Sequence, residues 1–390
     1  MIIAILFLLL PIAAVGGWFL GHRISFRNNS KLTPALRHNY FKGLNYLINE
    51  QPDKAVDVFI KLLEVDTDTV ETHLALGSLF RRRGEVDRAI RIHHNLIDRP
   101  QLAKEQRFHA LSELGQDYLR AGVLDRAEHL FLDLVEMEEE NQGSLRFLLH
   151  IYQQEKDWQK GIETAQKLLV LGEPVQDIIA QYYCELAEPL IDKGRSSQIK
   201  AAFYLKRAQA IDPNCVRASL LQARQETAEG DYKEAIRCYK RVIDQDPDYI
   251  SEVVAGLVEC YQHINEEEKL VVFFKECLVR YSRISLVLAI SDYLKRHRGE
   301  KVAIEFVAQE IQRKPSLRGL AHLVSLYLLN SRGDTRNKIL ILNRFIEKLL
   351  ADKPIYRCSY CGLSGKILFW LCPSCQHWNT VKPIQGLEGN

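Results

Sequence analysis

A small residue returns along this chain at a nearly constant interval. Ala55, Ala89, Ala127, Gly161, Ala201, Ala235 and Ala303 stand 34, 38, 34, 40, 34 and 68 residues apart, and 68 is twice 34. Other positions keep the phase. Gly43, Gly77 and Gly115 precede the first three by twelve residues, and Tyr46, Phe80, Tyr118 and Tyr152 precede the first four by nine. Leu62, Leu96, Leu134 and Leu168 follow the first four by seven, and Pro213, Pro247 and Pro315 follow later ones by twelve. A period between about 20 and 50 residues marks an array of identical supersecondary units, none of which can bury its apolar face alone. Small residues fit where two helices of a hairpin cross, and aromatics fill the groove toward the neighbouring hairpin. Proline ends the second helix because it cannot continue a helix interior.

The segments LGSLFRRRGEVDRAI (76–90), LGQDYLRAGVLDRAE (114–128) and EGDYKEAIRCYKRVIDQDP (229–247) resemble tetratricopeptide repeats. The implied fold class is all-α: a tetratricopeptide-repeat right-handed superhelix. The middle of the array is degenerate, with Lys269 at an expected small position and a hairpin around 250–281 that departs from the pattern. The two additions to the period fall at loops near Pro100–Glu105 and Gly172–Asp177. A helix from about Asn337 to Leu350 closes the array. Stacked hairpins present a concave surface of the kind that takes peptides or partner proteins. The contacts to expect there are the basic run Arg81, Arg82 and Arg83 and the aromatics Tyr118 and Tyr152.

Residues 2–20 read IIAILFLLLPIAAVGGWFL, nineteen residues without a charge. At about 1.5 Å per residue they span roughly 28 Å, close to the hydrocarbon thickness of a bilayer. Arg23, Arg27, Lys31, Arg37 and Lys42 follow, and no acidic residue appears before Glu50. Basic residues stay on the cytoplasmic side of a span, so the N-terminus is expected outside and the bulk of the chain in the cytoplasm. A cleaved secretory signal would carry its basic residues before the apolar run, where this chain has none.

Of nine cysteines, Cys184, Cys215, Cys238, Cys260 and Cys277 fall inside the repeats and read as buried, reduced core residues. The other four form Cys358-Ser-Tyr-Cys361 and Cys372-Pro-Ser-Cys375, with ten residues between the pairs. Paired C-x-x-C turns at this separation make a tetrahedral thiolate site. Four thiolates leave no position for water or substrate, so such a site is structural. Zinc and iron both accept this donor set. The pieces resemble a zinc ribbon and rubredoxin, although Gln376 stands where rubredoxin's second turn has glycine. Tyr356, Tyr360, Phe369, Trp370 and Trp378 supply apolar mass for packing around the knuckle or against the last hairpins.

Charge narrows the function. The 52 Lys and Arg nearly balance 50 Asp and Glu, leaving +2, where a dedicated nucleic-acid binder shows a strong basic bias. Residues 353–390 carry four basic residues against Glu388, a net of 4 − 1 = +3 without a patterned stripe. No Ser/His/Asp set, P-loop, H-E-x-x-H or Rossmann glycine pattern appears, so no catalytic residue is assigned.

The segments FLLLPIAA (7–14), 53–93, YRCSYCG with FWLCPSCQHW (356–378) and KPIQGLEG (382–389) resemble the bacterial lipopolysaccharide assembly protein B family across nearly the whole chain. That resemblance implies a non-enzymatic inner-membrane adaptor that regulates lipopolysaccharide synthesis. Its partners would be the membrane AAA protease FtsH and the LpxC deacetylase, with other lipopolysaccharide assembly proteins and self-association open to it. The family's metal cysteines fall on Cys358, Cys361, Cys372 and Cys375, holding one iron or zinc ion. The expected organisation is an anchor at 1–21, a basic linker at 22–35, the repeat array at 36–350, the metal domain at 354–382 and a tail at 383–390. A rubredoxin-like electron carrier, a scaffold for another membrane complex and a zinc-ribbon nucleic-acid binder are the alternatives.

Overall fold

The computed structural model describes residues 70–387 apart from 101, 139 and 140, with Gly389 and isolated positions between 41 and 58. The expected anchor at 1–21 and linker at 22–35 lie outside the described residues. Among the described residues no helix is long and apolar enough to cross a membrane. The chain forms two compact units, one up to Phe147 and one from Leu148.

In the first unit, helices α1 (Val70–Arg82) and α2 (Val86–Ile97) form one hairpin, and α3 (Lys104–Ala121) and α4 (Leu124–Met137) the next. The periodic positions explain why they pair. Ala89, Ala127, Leu96 and Leu134 are buried. Gly115 lies against Phe131, whose ring would stand 2.8 Å from any Cβ placed there, so the helices meet only because that residue has none. Gly122 takes a left-handed φ of 75° and closes α3, its N–H bonded to the Leu119 and Tyr118 carbonyls.

A charged network ties these helices together. Asp117 on α3 is fully buried and lies 2.7 Å from Arg81 on α1 and 2.5 Å from Nδ1 of His93 on α2. Arg81 also bonds Glu113 at 2.7 Å, and the Ser78 hydroxyl donates to the same carboxylate. A buried carboxylate is tolerated only with such partners. Burial pushes the Glu113 carboxyl up, but Ser78 and Arg81 outweigh it and hold it below its ordinary value of 4.5. A carboxylate whose folded value is depressed stabilises the fold above its unfolded value and stops doing so as pH falls through the folded one. Thermal stability of the first unit should therefore drop below about pH 4.5. Glu113→Gln should flatten that part of a Tm–pH curve; an unchanged curve refutes the assignment.

The second unit continues with α5 (Gln142–Glu155), whose first residues belong to the first unit, then α6 (Trp158–Val170), α7 (Gln176–Ile191), α8 (Arg195–Ile211), α9 (Val216–Glu229) and α10 (Tyr232–Gln245). After a 3-10 turn at Pro247–Tyr249 come α11 (Ile250–His263), α12 (Glu267–Tyr281), α13 (Ile284–Arg298), α14 (Glu300–Arg313), α15 (Leu317–Asn330) and α16 (Gly333–Ala351). Asp157, Asp231 and Ser316 cap their helices through side-chain bonds to the backbone N–H three residues on. The small positions Gly161, Ala201, Ala235 and Ala303 are buried, as are the five scattered cysteines, all free thiols. Helices α8, α10 and α14 end at Ile211, Gln245 and Arg313, within two residues of Pro213, Pro247 and Pro315.

One expectation holds and another needs correction. The hairpin around 250–281 does depart from the pattern: α11 and α12 pair, but more loosely than the hairpins α9–α10 and α13–α14 on either side, with Leu270 buried while Lys269 turns out to solvent and bonds Glu266. A buried leucine holds the two backbones further apart than the buried Ala235 and Ala303 of those neighbours do. The additions to the period, by contrast, go mainly into helix, not loop. Helix α3 runs to 18 residues, α7 to 16 and α8 to 17, against 12 to 15 for most of the others. Closing helix α16 starts at Gly333, four residues before Asn337.

Gly256 on α11 faces the Tyr239 ring of α10, and a Cβ there would collide with it. Tyr239 is buried, so its ring must shift within a packed core to make room. Gly256→Ala should cost about 1–3 kcal/mol, the usual price of overpacking. Adding Tyr239→Leu should recover part of the loss; denaturant titration of the two single variants and the pair checks this.

Candidate metal centre

After α16 the chain makes a three-stranded antiparallel sheet from β1 (Tyr356–Cys358), β2 (Ser364–Gly365) and β3 (Val381–Pro383), in the order β2-β1-β3. Tyr356 pairs with Gly365 and Pro383, and Cys358 with Val381. The sheet brings the two C-x-x-C turns face to face.

The Sγ atoms of Cys358, Cys361, Cys372 and Cys375 all lie within 4.8 Å of one another. Cys358 and Cys375 stand 3.8 Å apart, and Cys361 and Cys372 3.7 Å. A tetrahedral ion with metal–sulfur bonds of about 2.3 Å has sulfur–sulfur edges of about 3.8 Å. The donor set therefore fits a four-thiolate metal ion. Burial pushes the Cys358 thiol up, but the N–H groups of Cys361 and Tyr360 and the Thr380 hydroxyl outweigh it and bring it to about 6. Burial and the neighbouring thiols push Cys375 up to about 12. Sulfurs this close cannot all carry charge unless a cation sits among them.

The two turns share one backbone pattern. Gly362 N–H bonds the Cys358 carbonyl at 3.0 Å, and Gln376 N–H bonds the Cys372 carbonyl at 2.9 Å. Gly362 has φ 78°, and Gln376 adopts the same left-handed conformation at 57°. The missing glycine therefore leaves the turn intact, with the Gln376 amide bonded to the Pro373 carbonyl at 3.2 Å. His377 stacks on Tyr360 with ring centres 3.9 Å apart and points Nδ1 at the Cys375 carbonyl, away from the sulfur set.

The knuckle sits on the repeats of its own unit. Trp378 inserts edge-on beside Trp158 and Tyr182, at 6.3 and 5.9 Å, and its Nε1 donates to Gln153 at 2.8 Å. Gly161 lets that seat form, since a Cβ there would stand 2.9 Å from the Tyr182 ring. The Gln181 amide donates to Asn379 at 2.8 Å. Trp370 stacks on Tyr249 at 5.6 Å beneath the Arg217 guanidinium, which Glu185 and Glu188 hold at 2.8 and 2.5 Å. Tyr249 donates to the Val381 carbonyl and Tyr356 to Glu252. Lys382 bonds Asp246 at 2.7 Å, and Leu317 N–H reaches the Leu387 carbonyl at 2.9 Å. The seat lies on helices between Gln153 and Glu252 more than on the last hairpins, because that is where the buried aromatics and the paired carboxylates are. Of the five aromatics expected to pack, Trp370, Trp378 and Tyr356 do so, while Tyr360 and Phe369 stay exposed.

The residues expected to meet a partner are placed differently from one another. Arg81 is engaged in the Asp117 network, and Arg82 and Arg83 are exposed, with Arg83 3.3 Å from Glu85. Tyr118 and Tyr152 are buried under Arg126 and Lys160, at 5.5 and 5.3 Å. Phe80 lies under Arg88 and Tyr46 under Lys54 in the same way. The signal was in the sequence: each aromatic of the period is followed eight residues later by Lys or Arg.

A rubredoxin metal binding domain model matches residues 356–383, and tetratricopeptide repeat models match 72–105 and 217–249. The chain is 38% identical over 387 residues to lipopolysaccharide assembly protein B of Escherichia coli (strain K12), covering 99% of each. The chain belongs to the lipopolysaccharide assembly protein B family. The Haemophilus influenzae member is 35% identical over 404 residues, covering 100% of both chains. In this member of the family the repeats and the rubredoxin-type knuckle are joined by direct contacts and not only by the short segment after α16.

Proposed function

We propose that this chain is a membrane-tethered, non-enzymatic adaptor that controls lipopolysaccharide synthesis by bringing the LpxC deacetylase to the protease FtsH. Likeness to lipopolysaccharide assembly protein B over 99% of both chains carries the reading. In it, residues 1–21 anchor the chain in the inner membrane with the N-terminus in the periplasm, and 22–35 link the anchor to a cytoplasmic scaffold at 36–350. Cys358, Cys361, Cys372 and Cys375 hold one iron or zinc ion within 354–382, and 383–390 form the tail. A closed thiolate site has no open position for chemistry, and its part is to fold the knuckle and hold it on the repeats. A tether confines the adaptor beside a membrane protease and raises the effective concentration of both, so modest contacts suffice.

The test is the lifetime of LpxC in cells whose only copy of the protein is this chain. Depleting it should leave LpxC persisting after synthesis stops, and FtsH inactivation should add nothing further. An LpxC lifetime indifferent to depletion refutes the reading. Arg82→Glu is the suitable probe of a partner contact on α1, since Arg81→Glu would break the Asp117 network and confound binding with folding.

A further inference from the structure

The outermost helix of the array, α16, breaks the rule that a repeat array ends on a polar face. It buries Asn343 and Ile346 toward its neighbours. On the other side Ile341, Leu342, Phe345 and Leu349 are exposed by 68, 48, 61 and 47%. Spacings of four residues from Ile341 to Phe345 to Leu349, with Leu342 between, place all four on one stripe. An apolar stripe of this kind marks a contact surface.

Charge identifies the occupant. Arg344 and Lys348 follow Ile341 and Phe345 by three residues and border the stripe along one edge. Both are exposed, and neither forms an ion pair among the described residues. Lys338 lies one turn ahead on the same face, bonded to Asp334 at 2.7 Å. The other carboxylate of the helix, Glu347, lies toward the opposite side and accepts from Asn343 at 2.8 Å. A second copy would bring one exposed carboxylate, Asp352 at the C-cap, against both Arg344 and Lys348, so paired stripes would keep an excess of cations on each side, which disfavours self-pairing. An anionic lipid surface satisfies both parts: acyl chains take the leucines, isoleucine and phenylalanine, and headgroup phosphates take the cations.

We propose that the outer face of α16 rests on an anionic lipid surface. The inference rests on the proposed tether, which brings the chain to a membrane, and adds a second point of contact that fixes how the scaffold faces the bilayer.

The full chain, reconstituted at one copy per nanodisc, tests this by hydrogen exchange. In discs containing phosphatidylglycerol, amides 341–350 should exchange at least about tenfold more slowly than in the Phe345→Glu/Leu349→Glu variant. Discs of phosphatidylcholine alone should lose most of that protection, since each cation near an anionic surface contributes about fivefold. Unchanged exchange across 216–263 in the variant shows that the fold is intact. Co-elution with the discs without protection of α16 overturns this inference alone. Protection only in discs carrying two chains assigns the stripe to a second copy and also overturns it. A chain that does not co-elute with the discs refutes the tether and the inference together.

Discussion

Replacing Cys372 and Cys375 with Ser should strip the metal from the chain and release residues 356–383 from the repeats. The segment is far too short to fold on its own apolar burial, and its sheet has only two or three residues per strand. Metal binding at such sites is worth on the order of 10 kcal/mol of folding free energy. Removing two of four ligands leaves no closed tetrahedron and withdraws most of it. Metal analysis should fall from one ion per chain to none. Backbone amides at 356–383 should lose protection, and the fluorescence of Trp370 and Trp378 should shift to the red. The helices should survive, because their cores at Ala201, Ala235 and Leu257 do not touch the knuckle sulfurs. Acid should mimic the substitution, since ligand thiolates must be deprotonated to hold the ion, so metal is lost as pH falls and not as it rises. A double variant that keeps its knuckle protected would refute a metal-dependent fold. If the knuckle opens and LpxC turnover continues, the adaptor surface lies elsewhere.

Trp378→Ala should separate docking from metal binding. Trp378 is 8% exposed, wedged beside Trp158 and Tyr182, and its indole N–H is committed to Gln153. Deleting a buried tryptophan costs about 3–5 kcal/mol, and here the loss falls on one seam. The four cysteines are untouched, so one ion per chain should remain. Exchange should rise at Asn379–Val381 and around Gln153 and Gln181, and Tm should fall by several degrees. Metal loss would show that the seat is needed for the site. No change in exchange would show that Trp378 does not hold the knuckle down.

The repeat array was legible because its information is local and repeated. Ala89, Ala127, Ala201, Ala235 and Ala303 are buried where the period puts them, since each hairpin solves the same packing problem with the same small residue. Where Lys269 stands at that position and the larger Leu270 is buried beside it, the hairpin still forms but packs more loosely than its neighbours. The metal site was legible for a similar reason: ligands three positions apart are set by one turn, and the second turn copies the first down to the left-handed Gln376.

Arg81 shows the limit. In sequence it is one of three adjacent arginines, and only the packed structure separates it from Arg82 and Arg83 by bringing Asp117 beneath it, 36 residues on. The seat of the knuckle is further from reach. Trp378 meets Gln153 across 225 residues and Lys382 meets Asp246 across 136. These are single contacts with no period to announce them.

The amino-acid sequence by itself determined that the chain is an array of helical hairpins ending in a four-thiolate knuckle, because helix periodicity, crossing residues and ligand spacing act over one turn or one hairpin. The tertiary structure alone decided which hairpins receive the knuckle, which charges are buried and which face of α16 stays bare. Those outcomes depend on which distant surfaces come together, and the free energy of such a contact belongs to both partners and is written in neither segment alone.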